Sequence, residues 1–249
     1  MKFVRKNRVS IFGCSMDLFS MHESIDAIQS NIDAGIFTQH GVVNVAKIVN
    51  MQTDKELAKS VNSCDLINID GMGVVWGARL LGHDVPERVT GIDLFRKLLS
   101  LAETRGFSVY FLGATIGVLE KAIENCVKEF PDLKVAGSHH GYFTEADERE
   151  IVDEISNSGA RMLFVAMSSP KKEIFINAWK NQLGVDFVMG VGGTFDVFAG
   201  KVRRAPEWMQ KSGFEWLFRV IQEPGRMWRR YLITNTKFVM MLLRVKFSA

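Results

Sequence analysis

Carboxylates that directly follow apolar runs are the first residues in this sequence that could do chemistry. In the stretch "LINIDGMG", Asp70 ends an apolar run and is followed by Gly71 and Gly73. A carboxylate at the tip of a buried strand, beside a glycine turn, faces the crevice in which open α/β sheets bind ligands and can act there as a base. An aspartate in this place can instead be the N-cap of the next helix. The sequence leaves both roles of Asp70 open.

A glycine-rich turn in "MGVGGTFDVFAGK" is the second candidate. Gly190, Gly192 and Gly193 would let a ligand approach the backbone closely, and Asp196 follows them after two residues. The structural alternative is a bulge and a packing turn. A further turn, in "VYFLGATIG", also lies between a strand and a helix, but it lacks the full dinucleotide-binding fingerprint and is a weaker signal.

Several common catalytic motifs are missing from the sequence. It contains no H-E-x-x-H, no G-x-S-x-G and no G-x-x-x-x-G-K-[ST] motif. It also contains no D-x-D motif, the usual sequence sign of carboxylates that hold a metal ion on a nucleotide diphosphate. If the protein handles a diphosphate, cationic side chains must neutralise it. We therefore expect no metal site and no cofactor.

The stretch "EWLFRVIQEPGRMWRRY", residues 215–231, mixes aromatic and guanidinium side chains. Such a mixture can bind phosphates, a membrane surface or nucleic acid, or it can pack on the rest of the protein. Residues 201–249 hold eleven lysines and arginines against three glutamates, a formal charge of +8, so the first 200 residues carry −5 of the total +3. A basic tail on a mildly acidic body predicts an anionic partner, and the alternative is a solvated basic helix.

The composition is typical of a soluble protein with a large hydrophobic core. A chain of 249 residues fits one large domain, or one domain with a smaller appendage, and 47% of its residues are hydrophobic. Its 3 cysteines are far apart, which favours a reducing compartment over a disulfide scaffold. We find no pattern typical of a signal peptide and no apolar run long enough to span a bilayer. These features predict a cytoplasmic protein.

Short apolar runs alternate with amphipathic segments along the first 200 residues. Runs such as "SVYFLG", "RMLFVAM" and "DFVMGVG" are too apolar for strands that are exposed on one face. The alternation predicts an α/β fold with a mainly parallel, buried sheet flanked by helices. Ser20 with Glu23 and Thr53 with Glu56 are typical of capping boxes at helix starts, and Gly106 is placed to end a helix.

The pattern changes after about residue 200, where strand signals stop. Pro206, Gly213 and Pro224 divide the rest into two short helices and one longer helix. We interpret residues 1–200 as an α/β catalytic core and residues 201–249 as a basic helical appendage, packed on the core or hinged to it. The last helix carries an apolar stripe that could pack on the core or lie on a membrane; the stripe consists of Met227, Tyr231, Phe238, Met241, Leu242 and Val245.

Several segments together resemble the WecG/TagA/CpsF glycosyltransferases. Over about residues 40–240, that family's order and spacing are matched by "INIDGMGVVWGARLLGHDVPERVTGIDLF", "GYF", "SSPKKE" and "GVGGTFDVFAGKVRRAPEWMQKSGFEWLFRVIQEPGRMWRRY". The resemblance implies a Rossmann-like core whose C-terminal appendage completes the active site and meets the membrane. It also implies inverting, metal-independent transfer of N-acetylmannosamine, its uronic acid or a related hexose. The donor would be a UDP-sugar and the acceptor a polyprenyl-diphosphate-linked sugar, in cell-surface polysaccharide or teichoic acid biosynthesis.

The resemblance also assigns roles to individual residues. Asp70 matches the family's proposed catalytic base, and Arg88 of "PERVTG" matches a motif arginine in the pocket. Asn44 matches an asparagine near the donor and acceptor site, and Asp196 matches the aspartate of the G-x-F-D motif. Three arginines match those thought to hold the UDP diphosphate: Arg219, Arg226 and Arg229.

Two positions depart from the family pattern. Val42 stands where the family usually has threonine, and Lys172 stands where it usually has glutamine. Both resemble positions that contact the sugar or the nucleotide, so Lys172 is a candidate substrate-binding residue and the donor sugar stays open. The resemblance further implies self-association through the core and a peripheral position on the inner face of the cell membrane. There Trp216, Trp228 and Phe238 would lie on an anionic surface.

Two other classes of protein remain as alternatives. A nucleotide-binding oxidoreductase could use the same fold, but the dinucleotide-binding fingerprint is missing. A non-catalytic nucleic-acid-binding module could use the arginines and tryptophans of the tail. That role would leave Asp70, Asp196 and the glycine turns unexplained. We therefore expect a glycosyltransferase that has no nucleic-acid partner.

Overall fold

The computed structural model describes residues 7–248, except the side chains of Arg226 and Ser248. Within this range the chain forms eight strands and twelve helices. The strands are β1 (Arg8–Ile11), β2 (Cys14–Asp17), β3 (Thr38–Val43), β4 (Leu66–Ile69), β5 (Ser108–Gly113), β6 (Lys134–His139), β7 (Met162–Ala166) and β8 (Phe187–Gly190). The helices are α1 (Met21–Asp33), α2 (Val45–Met51), α3 (Lys55–Asn62), α4 (Met72–Leu80), α5 (Gly91–Arg105), α6 (Ile116–Glu129), α7 (Glu148–Asn157), α8 (Lys171–Trp179), α9 (Thr194–Phe198), α10 (Glu207–Lys211), α11 (Glu215–Gln222) and α12 (Pro224–Ser248).

Six of the strands form one parallel sheet in the order β4-β3-β8-β7-β5-β6, which confirms the predicted α/β fold. The strands β1 and β2 form a separate antiparallel hairpin. The strand β2 was not predicted from the sequence, because "CSMD" is short and lacks an apolar run. The hairpin is attached to the sheet through Asp17, which accepts a hydrogen bond from Ile67 N at 2.7 Å and forms an ion pair with Arg8 at 2.7 Å.

The sheet is buried on both faces. Side chains alternate along each strand, so Phe111 of β5 points into one core cluster and its neighbours Tyr110 and Leu112 into another. The helices α1, α5, α6 and α9 cover the first face, and α7 and α8 contribute to the cover of the second. Because both faces are closed by helices, the edge at the carboxyl ends of the strands is where a ligand can reach the sheet.

The helix boundaries follow local capping chemistry, with one difference from the prediction. Ser20 and Glu23 form the expected capping box of α1, and Gly106 ends α5 with a left-handed φ of 66°. Thr53 does not cap α3. The cap is Asp54, whose Oδ1 accepts a hydrogen bond from Leu57 N at 2.9 Å. The neighbouring carboxylate, a strong acceptor for this position, therefore sets the start of α3.

The last three helices are separated at Gly213 and at Pro224, and α10 begins after Pro206, as predicted. The long helix α12 packs on the core: Phe238 is 3% exposed, its ring lies 5.8 Å from that of Phe12, and a Cβ on Gly77 of α4 would lie 3.0 Å from it. The expectation that Phe238 lies on a membrane is therefore wrong. A stripe at helical spacing indicates that a face is covered, but it does not identify what covers it. Within residues 7–248 no helix is both long and apolar enough to cross a bilayer.

Candidate active site

Asp70 lies at the carboxyl tip of β4, beside the tip of β3. Its backbone N–H donates to the carbonyl oxygen of Val43 at 2.9 Å. The side chain is half-buried, and its carboxylate accepts a hydrogen bond from the N–H of Gly91, the first residue of α5. Asp70 does not cap the following helix, because the N-cap of α4 is Gly71 and makes no side-chain bond. Of the two roles that the sequence left open, that of N-cap of the next helix is excluded.

The glycine turn after Asp70 allows two helices to start side by side. A Cβ on Gly71 would lie 3.2 Å from the Cβ of Asn44, and one on Gly73 would lie 2.8 Å from Val45 Cγ2. Asn44 is the N-cap of α2, and its Oδ1 accepts a hydrogen bond from Lys47 N at 3.0 Å. The small residues therefore place Asn44 directly beside the turn that carries Asp70.

Burial and nearby charges shift the pKa of Asp70. Burial raises the pKa of its carboxyl group, and the negative charge of Glu215 raises it further. The positive charges of Arg88 and Arg219, together with the Gly91 N–H, lower this pKa but do not cancel the increase. A carboxylate with a raised pKa binds a proton more tightly, which suits a base that must accept one from a hydroxyl group.

The appendage reaches this site through α11 and the segment before α10. Glu215 Oε2 lies 3.2 Å from Arg88 Nη1, and both side chains are largely buried. Arg204 forms two hydrogen bonds to the carboxylate of Asp93 in the first turn of α5, both at 2.6 Å. Paired guanidinium–carboxylate bonds fix orientation as well as distance. The appendage is thus bound to the segment from Arg88 to Asp93, which also contains the Gly91 N–H that donates to Asp70.

Tyr231 of α12 completes the group of side chains around Asp70. It is half-buried, and its ring lies 5.7 Å from that of Trp216 in α11. Burial raises the pKa of its hydroxyl group, while the charges of Arg219 and Arg230 oppose the increase. Neither Tyr231 nor Glu215 was predicted from the sequence as a site residue. Both lie inside the arginine-rich stretch 215–231, so their neighbourhood was indicated although their contacts were not.

Lys172 belongs to a buried ion cluster at the carboxyl end of β8. Its Nζ lies 2.7 Å from Glu173 Oε1, and Lys47 Nζ lies 2.8 Å from the same oxygen. Burial and the charge of Lys47 lower the pKa of Lys172 to about 8. Burial favours the neutral form of Glu173, but the two ammonium groups hold its pKa at about 2. Lys47 Nζ also donates to Val42 O at 2.7 Å, so the cluster links both positions that depart from the family pattern.

The remaining predicted residues lie on α9 and α12. Asp196 is in α9, and its Oδ1 lies 3.3 Å from Lys201 Nζ. Arg229 is exposed on α12, whereas the side chain of Arg226 lies outside the described residues. The structure thus brings Asp70, Asn44, Arg88 and Arg219 together, and it places Asp196 and Lys172 after β8 and β7. Substrate contacts for these side chains stay a prediction.

The arrangement can combine proton transfer with the binding of an anion. A half-buried carboxylate of raised pKa lies within electrostatic reach of two guanidinium groups, Arg88 and Arg219. In the part of the chain that the structure describes, no three histidine, cysteine or acidic side chains converge as ligands for a metal ion. Arg88 and Arg219 are cations that could face a phosphate in this place.

Comparisons with known proteins agree on the class of protein. A protein-family model described as "Glycosyl transferase WecG/TagA/CpsF family" matches residues 9–249. A Bacillus spizizenii protein named N-acetylglucosaminyldiphosphoundecaprenol N-acetyl-beta-D-mannosaminyltransferase is 32% identical over 238 residues, which cover 96% of this chain and 90% of the relative. A Bacillus subtilis protein of the same name is 31% identical over 217 residues, covering 87% and 82%. The matched residues include the whole span of the motifs in the sequence.

Proposed function

This chain is a glycosyltransferase that belongs to the WecG/TagA/CpsF family, and from that premise we propose that it transfers N-acetylmannosamine from a UDP-sugar to a polyprenyl-diphosphate-linked N-acetylglucosamine. The names of the two Bacillus relatives support this transferred sugar and this acceptor. The observation that carries the proposed chemistry is Asp70, a carboxylate of raised pKa at a strand tip, with Arg88 and Arg219 close by.

In the proposed reaction Asp70 is the base. It removes the proton from the acceptor hydroxyl group while the hydroxyl oxygen forms a bond to the anomeric carbon of the donor sugar. The bond from that carbon to the UDP oxygen breaks, and its electron pair stays on the diphosphate. An unperturbed aspartate has a pKa of about 3.9, which is low for this task. The increase caused by burial and by Glu215 makes proton transfer to Asp70 more favourable.

The arginines stabilise the leaving group in this scheme. Charge accumulates on the diphosphate as the sugar departs, and cations that are already in position stabilise it without reorganisation. Arg88 and Arg219 are candidates because both act on Asp70 electrostatically. Arg226 and Arg229 are candidates from the sequence alone. A preorganised donor of this kind contributes about 3 kcal/mol to transition-state stabilisation.

A direct transfer assay tests the proposed function. We expect the protein, incubated with UDP-N-acetylmannosamine and a short-chain polyprenyl-diphosphate-linked N-acetylglucosamine, to release UDP. Mass spectrometry should then show an acceptor that is heavier by one N-acetylhexosamine. Parallel reactions with other UDP-hexoses define the donor. Failure to transfer a sugar from any of these donors would contradict the proposal.

We expect catalysis without a divalent metal ion, because side-chain cations are proposed to neutralise the diphosphate. Transfer rates should therefore be unchanged in an excess of EDTA. The measurement is UDP release with and without the chelator, followed by addition of magnesium or manganese. A rate that disappears with EDTA and returns with either metal would show that a metal ion, rather than the arginines, serves the leaving group.

We further propose that the outer face of α12 binds an anionic membrane surface. Trp228, Leu232, Val239 and Leu243 are between 46% and 59% exposed. Their spacings of four, seven and four residues place them on one side of the helix, away from buried Phe238. Exposed cations accompany this apolar face, which suits anionic lipid headgroups; they are Arg229, Arg230, Lys237, Arg244 and Lys246.

Surface substitutions test the membrane contact better than deletion of α12, because deletion would uncover the core beneath Phe238. The triple variant Leu232→Ser, Val239→Ser, Leu243→Ser should remain folded and lose cosedimentation with phosphatidylglycerol vesicles. Binding of the unaltered protein should weaken with salt, since each cation near an anionic surface contributes about 1 kcal/mol.

The matched control for the vesicle experiment carries Val127→Ser and Val135→Ser. Both valines are exposed, and they lie in α6 and β6, outside the appendage. The control should bind vesicles like the unaltered protein. If the triple variant also binds vesicles fully, the outer face of α12 is not the membrane contact.

A further inference from the structure

Glu215 joins the appendage to the segment before α5, close to the Gly91 N–H that binds Asp70. It is the first residue of α11, and its Oε2 lies 3.2 Å from Nη1 of Arg88, a residue 127 positions earlier in the chain. The side chains are only 18% and 14% exposed, so the pair is shielded from most of the solvent. Such an ion pair is ordered by its surroundings more strongly than a surface pair.

Asp70 is surrounded by charged and polar groups from several elements. Glu215 and Arg219 come from α11, Arg88 from the segment before α5, and the Gly91 N–H from α5 itself. The negative charge of Asp70 also acts on Arg204, before α10, and on Tyr231 of α12. Of these groups, Glu215 is the one that adds a second negative charge beside Asp70.

We propose that Glu215 is a positioning residue of the reaction, which holds Arg88 and places a negative charge beside Asp70, so that the base is complete only while α11 is docked. The inference rests on the proposed function, because it assigns to Glu215 an effect on the base of that reaction. The appendage would then do more than supply arginines to the phosphates. It would also set how tightly Asp70 binds a proton.

The physical basis is repulsion between two carboxylates. A negative charge close to Asp70 disfavours its ionised form, so Asp70 binds a proton more tightly when Glu215 is in place. Arg88 keeps Glu215 beside the site by pairing with it. When α11 moves away, Asp70 loses this repulsion and becomes a weaker base, and Arg88 loses its partner. Proton transfer is thereby coupled to docking of the appendage.

The test is a graded series of variants at residue 215. Glu215→Gln removes the charge, and Glu215→Asp retains it at a greater distance. We expect the acidic limb of the pH profile of kcat/KM to move to lower pH in the order Glu, Asp, Gln, with kcat about tenfold lower in the Gln variant. The donor KM should not increase, because a negative charge near the diphosphate has been removed.

Glu207→Gln is the matched control, because Glu207 is also in the appendage but its side chain is 86% exposed and is paired with exposed Lys211. It should leave the pH profile unchanged. A purely structural ion pair would lower the Tm of Glu215→Gln and leave the acidic limb where it is, and that result would overturn the proposal. Should the Gln variant not fold, an unshifted limb in Glu215→Asp would overturn it equally.

A measurement without substrate separates this inference from the proposed function. Carbon-13 NMR of the side-chain carboxyl groups, with Asp70→Asn to assign the signal, reports the titration of Asp70 directly. We expect its midpoint to fall in Glu215→Gln, whether or not the protein transfers the chosen sugar. An unchanged midpoint contradicts the role of Glu215. Absent transfer by the unaltered protein contradicts the proposed function alone.

Discussion

Replacement of Asp70 by asparagine is expected to lower kcat by about 100-fold or more, the usual contribution of a positioned base. Asparagine has the same shape, and its side-chain oxygen can still accept the hydrogen bond from Gly91 N. Arg88 and Arg219 remain in place, so binding of the UDP-sugar should be retained. The variant therefore separates proton transfer from donor binding. The measurements are kcat from UDP release and Kd for UDP from calorimetry.

Asp84→Asn is the control for Asp70→Asn, because Asp84 is exposed in the segment between α4 and α5. It should have normal kcat and normal UDP affinity. The acidic limb of the kcat profile should be present in the control and absent from the residual activity of Asp70→Asn, since the titrating group has been removed. Near-normal turnover by Asp70→Asn would remove Asp70 from the mechanism.

Glu173→Gln is expected to lower the free energy of unfolding by about 3–5 kcal/mol, the usual cost of removing one partner from a buried ion pair. The Glu173 carboxylate lies between the ammonium groups of Lys47 and Lys172, at 2.8 Å and 2.7 Å from a single oxygen. All three side chains are less than 10% exposed. Without the carboxylate, two buried positive charges would repel each other. Denaturation in urea measures the loss.

The double variant Glu173→Gln, Lys172→Met should recover part of this stability, because it removes one of the two unpaired charges. Glu207→Gln, which breaks the exposed pair with Lys211, should change the stability by less than about 1 kcal/mol. If Glu173→Gln is as stable as the Glu207 control, the buried cluster does not stabilise the fold.

The pH dependence of stability provides an independent check on this cluster. The pKa of Glu173 is lowered from 4.5 to about 2, so its contribution is complete above pH 4.5 and is lost as the pH falls towards 2. The pKa of Lys172 is lowered from 10.5 to about 8, so the cost of burying its charge is present below pH 8 and is relieved as the pH rises towards 10.5. The Glu173→Gln variant should therefore not show the loss of stability that Glu173 causes between pH 4.5 and about pH 2.

Much of the core could be predicted because its signals are local. Runs such as residues 162–166 are apolar at every position, which requires burial on both faces of a parallel sheet. Ser20, Gly106 and Pro206 mark helix boundaries through the chemistry of single residues. The prediction that Thr53 caps α3 was wrong because Asp54, one position later, is the cap. Local sequence thus identifies elements well and their first residue less well.

The site was harder to predict, because its contacts join distant parts of the chain. Motif matches indicated Asp70, Arg88 and Arg219, and in the structure both arginines act on the Asp70 carboxylate. The pairing of Arg88 with Glu215 spans 127 residues, and no local pattern indicates it. The burial of Phe238 against Gly77 has the same origin. Amphipathic spacing predicts that a face will be covered, whereas the covering partner depends on the tertiary fold.

The configuration of the transferred sugar shows whether the reaction is a single displacement at the anomeric carbon, assisted by Asp70. The product formed from α-linked UDP-N-acetylmannosamine and the lipid-linked acceptor should be analysed by NMR, using the one-bond carbon–proton coupling at the new anomeric centre. A β-linked sugar is predicted, because one displacement by the acceptor hydroxyl inverts the configuration. An α-linked product, or a sugar bound covalently to the protein, would contradict a single displacement.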